Sequence, residues 1–90
     1  MEIRNYPNYL IYPDGRVWSQ KRKIFLRSGL TTTGYKQVIL CNDGKVKTFT
    51  IHRLVAIHYI PNPHYYPQVD HIDRNRTNND VSNLRWVNNS

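Results

Sequence analysis

Apolar and polar positions alternate along much of the chain, and the breaks in that alternation mark its elements. Tyr9-Leu10-Ile11-Tyr12 is a short run of strand formers, Pro13-Asp14-Gly15 is a turn, and Arg16-Val17-Trp18-Ser19 returns, so residues 9–19 predict a β-hairpin. Ile24-Phe25-Leu26 predicts a third short strand. Tyr35 to Cys41 is again rich in strand formers, Asn42-Asp43-Gly44 is a turn, and Lys45 to Ile51 alternates strictly. In this second hairpin Lys45, Lys47 and Phe49 share one face, and Val46, Thr48 and Thr50 share the other.

The period then changes. Over residues 52–60, Leu54, Val55, His58 and Tyr59 fall on one face of a helix, with Thr50 placed to cap its start. Pro61-Asn62-Pro63 ends it, because proline cannot continue the helical bonding and disfavours helix in the residue before it. Residues 61–67, with three prolines, form a stiff connector. Gln68 to Ile72 predicts a strand, Asp73 to Val81 a loop, and Asn83 to Val87 a second strand. The fold class is therefore α+β: β-hairpins, one short helix, then strand, loop and strand.

Composition narrows the class of partner. The chain has 90 residues, 13 Lys and Arg against 6 Asp and Glu, and a net charge of +7. That excess in one small domain predicts a polyanion as partner. The basic residues lie mainly on the β part, at Arg16, Lys21, Arg22, Lys23, Arg27, Lys36, Lys45 and Lys47. Charge on a two-stranded ribbon suits contact with the backbone of double-stranded DNA. A basic amphipathic helix, an N-terminal signal-like apolar run and a stretch long enough to span a bilayer are all missing from the sequence, so a membrane role is not expected and an intracellular location is. The single cysteine, Cys41, excludes an internal disulfide and a cysteine-rich zinc site, and reads as a small residue on a strand.

The candidate chemistry lies near the end, in Val69-Asp70-His71-Ile72-Asp73 and Ser82-Asn83-Leu84-Arg85-Trp86-Val87. An aspartate can hold a divalent metal against a phosphodiester, and a neighbouring histidine can take a proton from water if its other nitrogen is held by a hydrogen bond. On a regular strand, adjacent residues point to opposite faces, so Asp70 and His71 can share a site only where the strand ends or twists. By spacing alone the signal is weak, since such a pair on a strand edge is more often a surface pair or a turn cap. Arg74 and Arg76 are either solvated loop charge or phosphate clamps, and Arg85, alternating with Leu84 and Trp86, faces away from the core and could clamp likewise. Trp86 is expected in the core. Of the other histidines, His58 is expected as a satisfied core or edge residue of the helix, His52 as locally bonded or alternatively within reach of a phosphate, and His64 has no assigned role.

Several segments taken together resemble the HNH (ββα-metal, or His-Me finger) endonucleases of the phage and intron-encoded homing type. They are His52-Arg53-Leu54-Val55-Ala56, Pro61-Asn62-Pro63, Val69 to Asp73, Asn78-Asn79, and Ser82 to Val87, in the family's order and at similar spacing. Tyr12 to Ser19 resembles the small β module that precedes the nuclease core there, so the resemblance covers about residues 9–88. It implies His71 as the general base, Asp70 as a ligand of Mg²⁺ or Mn²⁺, and Asn83 as the residue that orients the histidine and holds the loop. It implies hydrolysis of DNA to a 5′ phosphate and a 3′ hydroxyl, often as a nick. It divides the chain into a basic DNA-contact region, 1–51, and a nuclease core, 52–90. In the family a helix follows the second strand and supplies another metal ligand. Here the sequence stops at Ser90, with Asn88 and Asn89 too early to match. The expectation is a truncated core, with weak metal binding and cleavage unless a further segment or a second chain completes it. The alternative is a DNA-binding module with a vestigial site.

Overall fold

The computed structural model describes residues 1–88. It contains nine strands in three separate antiparallel sheets and one α-helix. The first sheet is formed by β1 (Glu2–Ile3), β2 (Tyr6–Ile11), β3 (Val17–Ser19) and β4 (Ile24–Phe25), in that order. The second comprises β5 (Gly29–Leu30), β6 (Lys36–Asn42) and β7 (Lys45–Thr50). After α1 (Ile51–Tyr59), β8 (Gln68–His71) pairs with β9 (Leu84–Val87) to form the third.

Both expected hairpins are present. In the second, Asn42 pairs with Lys45 across a two-residue turn, and Asp43 and Gly44 both take positive φ, the turn that matches the twist of the strands. On β6, Val38 and Leu40 are buried while Ile39 and Cys41 are exposed, so the alternation read from the sequence is a real inside and outside. Strand β7 is exposed over Lys45–Thr48 on both faces.

Helix α1 lies one residue earlier than the expected 52–60. Thr50 holds the N-cap position with extended dihedrals, but its hydroxyl caps nothing and is buried without a partner. The buried stripe is Ile51, His52, Leu54, Val55 and Ala56. Tyr59, half-buried, donates its hydroxyl to the Ile11 carbonyl at 2.6 Å and ties the helix to the first sheet. His58 is the satisfied edge residue expected of it: Nδ1 donates to the Leu54 carbonyl at 2.8 Å and Nε2 accepts from the Arg4 amide at 2.9 Å. Trp86 is half-buried and donates Nε1–H to the Ile60 carbonyl at 3.0 Å, with the Arg53 guanidinium over its ring.

One core joins these parts. Ile3, Ile11, Val17, Val38, Leu40, Ile51, Leu54, Val55 and Leu84 form a single buried cluster, so residues on both sides of the 51/52 division pack together. The tip of the first hairpin is docked on the late loop as well, where the Val81 amide donates to the Pro13 carbonyl at 2.7 Å. Among the described residues, no helix is long and apolar enough to cross a membrane.

Candidate active site

Strand β8 ends at His71, and the chain turns immediately, with the Arg74 amide donating to the His71 carbonyl at 2.9 Å and Arg74 at positive φ. This ending brings two adjacent side chains to one place. Asp70 and His71 both line a cavity of about 290 Å³, together with Tyr35, Val69, Arg74 and Arg76.

His71 is 5% exposed, which leaves its ring nitrogens dependent on protein partners. Nε2 lies 2.8 Å from the Asn79 carbonyl oxygen Oδ1. With that oxygen as the acceptor, the hydrogen sits on Nε2, and Nδ1 is left as the basic nitrogen of the ring. Asn79 is itself buried, and its amide Nδ2 has no partner. Behind it lies Gly15, at φ +94°, where an added Cβ would stand 3.1 Å from both Asn79 Cβ and Ile51 Cγ2. The hairpin tip thus backs the residue that holds the histidine.

Asn83 acts on the loop. Its Oδ1 accepts from the Asp73 amide at 3.0 Å, and its Nδ2 donates to Asp73 Oδ1 and to the Asn78 carbonyl, both at 2.9 Å. Asp73 also accepts from Asn78 Nδ2 and the Asn75 amide. The hydrogen bonds from Asn78, Asn75 and Asn83 hold the Asp73 carboxyl below its ordinary pKa. Asp80 accepts from both the amide and the hydroxyl of Ser82, starting the 3₁₀ turn Val81–Asn83, and these bonds lower its pKa too. Asn83 thus bonds to both Asp73 and Asn78 in the loop, while the side-chain bond to the histidine, expected of Asn83, is made by Asn79. In the sequence Asn79 stands out only as part of the Asn78-Asn79 pair.

Asp70 stands opposite Arg85 in the β8–β9 register, and the Arg85 guanidinium meets Asp70 Oδ2 at 3.0 and 3.1 Å. Both side chains are substantially exposed, so the pair contributes ~0–1 kcal/mol and costs little to open. Arg76 donates to the Thr33 carbonyl and lies 5.1 Å over the Tyr35 ring, while Arg74 is exposed. Lys21, Arg22, Lys23, Lys45 and Lys47 are exposed, and Lys36 is half-buried. Lys47 lies over the Phe49 ring, on the face predicted for both. Arg22 and Arg27 flank a separate groove with Ile24, Phe25 and Ile39 and do not join the histidine cavity.

Two residues beside His71 were not singled out for the site from sequence. Tyr35 stacks on the His71 ring at 5.8 Å between centroids, and His52 lies 5.0 Å from it. Burial pushes the His52 imidazole down to about 4, with His71 and Arg53 adding smaller effects of the same sign. Its Nδ1 is buried without a partner. His64 stacks on Tyr66 in the connector, in a different part of the chain.

Asp70 is a hard, partly exposed oxygen donor, which fits Mg²⁺ or Mn²⁺. Among the described residues, no group of three or more His, Cys, Asp or Glu that could hold a metal ion comes together. Mg²⁺ suits such a site, since it keeps several waters and binds through one or two carboxylates plus substrate phosphates. The expectation about Asn89 and a following helix lies outside the described residues.

The chain is similar to known proteins. A family model described as HNH endonuclease matches residues 50–90. An uncharacterized HNH endonuclease of Acanthamoeba polyphaga mimivirus is 43% identical over 86 residues, covering 96% of this chain and 26% of its own length. The DNA endonuclease I-HmuI of Bacillus phage SP01 is 40% identical over 87 residues, covering 96% of this chain and 50% of its own. A solved structure of the HNH homing endonuclease I-HmuI, concerned with its DNA binding and cleavage, superimposes with a TM-score of 0.90 at 39% identity, over 98% of this chain and 51% of that one. The chain thus spans about half or less of the length of these relatives. With sequence likeness along nearly the whole chain and the same course of strands and helix, the chain belongs to the HNH endonuclease family.

Proposed function

We propose that this chain is the nuclease region of a metal-dependent DNA endonuclease, with His71 as the general base. The observation that carries the reading is the buried His71–Asn79 bond at the end of β8, beside the Asp70 carboxylate and under two arginines. Held through Nε2, His71 presents Nδ1 to take a proton from water as the water oxygen attacks phosphorus. The bond from phosphorus to the 3′ oxygen breaks, and that oxygen leaves to gain a proton from solvent, giving a 5′ phosphate and a 3′ hydroxyl. Asp70 would hold a Mg²⁺ or Mn²⁺ ion, which when bound supplies charge stabilisation for the leaving oxygen. Arg74, Arg76 and Arg85 place guanidinium groups at or near the cavity for phosphate oxygens. Asn83 keeps the loop that carries Arg74 and Arg76 folded against β9.

In this reading residues 1–51 are the DNA-contact region and residues 52–90 the nuclease core. The division is one of function, since the two share a core. Lys21, Arg22, Lys23, Lys36, Lys45 and Lys47 bind the phosphate backbone of double-stranded DNA, which supports a strongly salt-dependent affinity. The site of action is the cell interior, where the DNA is.

The test is nicking of supercoiled plasmid DNA in Mg²⁺ or Mn²⁺. The expected result is turnover abolished by chelator and lowered ~10²–10⁴-fold by His71→Ala, the range of general-base contributions. Salt-sensitive DNA binding with no nicking by the wild type, or a His71→Ala protein as active as the wild type, would refute the reading and leave a binding module.

A further inference from the structure

A planar ring held by a hydrogen bond at one atom can still tilt about that bond. The Nε2–Asn79 contact therefore fixes where His71 is anchored but not the plane in which its ring lies. Two other rings close on it. Tyr35, the residue before β6, stacks on His71 with centroids 5.8 Å apart and planes 28° from parallel. His52, in the first turn of α1, meets it at 5.0 Å and 55°. Tyr35 and His52 touch each other at 4.9 Å, so the three rings form a closed triangle drawn from the second sheet, the helix and the third sheet.

We propose that Tyr35 and His52 are positioning residues, which pack together against one side of the His71 imidazole and hold its plane relative to the cavity. The pair is itself braced. The Tyr35 amide donates to the Thr31 hydroxyl at 3.0 Å, and the Thr31 amide donates to the Tyr35 carbonyl at 2.7 Å. The Arg76 guanidinium lies over the Tyr35 ring and is tied to the Thr33 carbonyl. His52 is 8% exposed and sits on the buried stripe of the helix, beside Ile51. Neither ring makes a hydrogen bond to His71, so what each supplies is shape, and an aromatic ring of similar size should serve in its place. Arg76 then acts in part through Tyr35.

The effect on rate rests on the nuclease reading above, and the effect on the ring does not. Four variants separate them: Tyr35→Ala, His52→Ala, Tyr35→Phe and His52→Phe. Single-turnover nicking, DNA affinity and the imidazole proton resonances of His71 (assigned by their loss in His71→Ala) are measured in each, below the melting point of the least stable. The expected result is that each alanine variant slows nicking by about 10–100-fold, the scale of a misplaced reacting group, with DNA affinity within about threefold of wild type. Lost ring currents shift the His71 resonances in any case, so ring tilt is read from the NOEs of the His71 ring protons to Val69 and Arg74 in the cavity lining, which should change in the alanine variants and recover, with the rate, in the phenylalanine variants. Alanine variants that melt at lower temperature but leave the nicking rate and these NOEs in place would overturn the proposal and make the triangle ordinary packing. A wild type that does not nick would overturn the nuclease reading, and the NOEs alone would then decide the positioning role.

Discussion

Gly15 tests whether the first hairpin is a structural part of the site. Its φ of +94° lies where an L side chain is strained, and an added Cβ would meet Asn79 Cβ and Ile51 Cγ2 at 3.1 Å each. Gly44, at φ +76°, shares the backbone problem but has nothing within 4 Å. Replacing either by alanine incurs a left-handed penalty of about 1–2 kcal/mol, offset in part by the stiffer unfolded chain. Those terms nearly cancel between the two, so the difference isolates the contact. Forcing a methyl group into a packed site costs ~1–3 kcal/mol. For a domain of this size each kcal/mol moves the melting point by roughly 4–8 °C, so Gly15→Ala should melt about 5–20 °C below Gly44→Ala. Paired thermal melts by circular dichroism provide the assay. The strain falls on Asn79, whose far side holds His71, so nicking should also drop in Gly15→Ala and stay near wild type in Gly44→Ala. Two variants melting within about 2 °C of each other would refute the argument: the hairpin tip would then lie against the loop without bearing on it.

Two further outcomes follow from the same contacts. Asn83→Ala removes three hydrogen bonds that close the 73–83 loop, and at ~0.5–1.5 kcal/mol for each bond should destabilise the protein by about 1.5–4.5 kcal/mol. The Asp73 carboxyl should titrate closer to its ordinary value, readable by carboxyl NMR; an unchanged Asp73 would mean that Asn83 does not hold it. The second outcome concerns pH. His52 is held at about 4, below its unfolded value of 6.5, so between these values the unfolded chain takes up a proton that the folded chain refuses. Stability should therefore be flat above pH 6.5, from this group, and fall as pH drops toward about 4. The ceiling is ~3.4 kcal/mol at ~1.4 kcal/mol per unit, and on the order of 2 kcal/mol remains after allowance for solvent near the ring. Denaturant melts of wild type and His52→Phe across this range check it, and equal slopes would remove His52 as the cause.

The elements legible in the sequence are those whose signal is local. Asn42-Asp43-Gly44 between two alternating runs gave the second hairpin, because two adjacent positive-φ positions select such residues. The change of period at residue 52 gave the helix to within one residue. Strands β1 and β5 were not readable: two residues are too short to show alternation, and each exists only because a neighbouring strand offers hydrogen bonds. The capping role expected of Thr50 failed for a similar reason. Its position and dihedrals are those of a cap, but packing decided where the hydroxyl went.

The site divides in the same way. Asp70, His71 and Asn83 could be picked out as chemistry because each belongs to a short motif, and the turn after His71 explains how an adjacent acid and histidine share one cavity. What the motif could not say is which asparagine holds the ring. Asn79 is eight residues from His71, along a loop whose path depends on the turns made by Asp73 and Asp80 and on the Gly15 backstop from the far end of the chain. Tyr35 and His52 are further still, and only the meeting of two sheets with the helix brings them to His71. The proposed metal ligand and base of such a small domain can be written in a few consecutive residues, but the plane and tautomer of its histidine cannot. Those are set by the shared core, which is why substitutions as distant in sequence as Gly15 and Tyr35 are expected to act on the same ring.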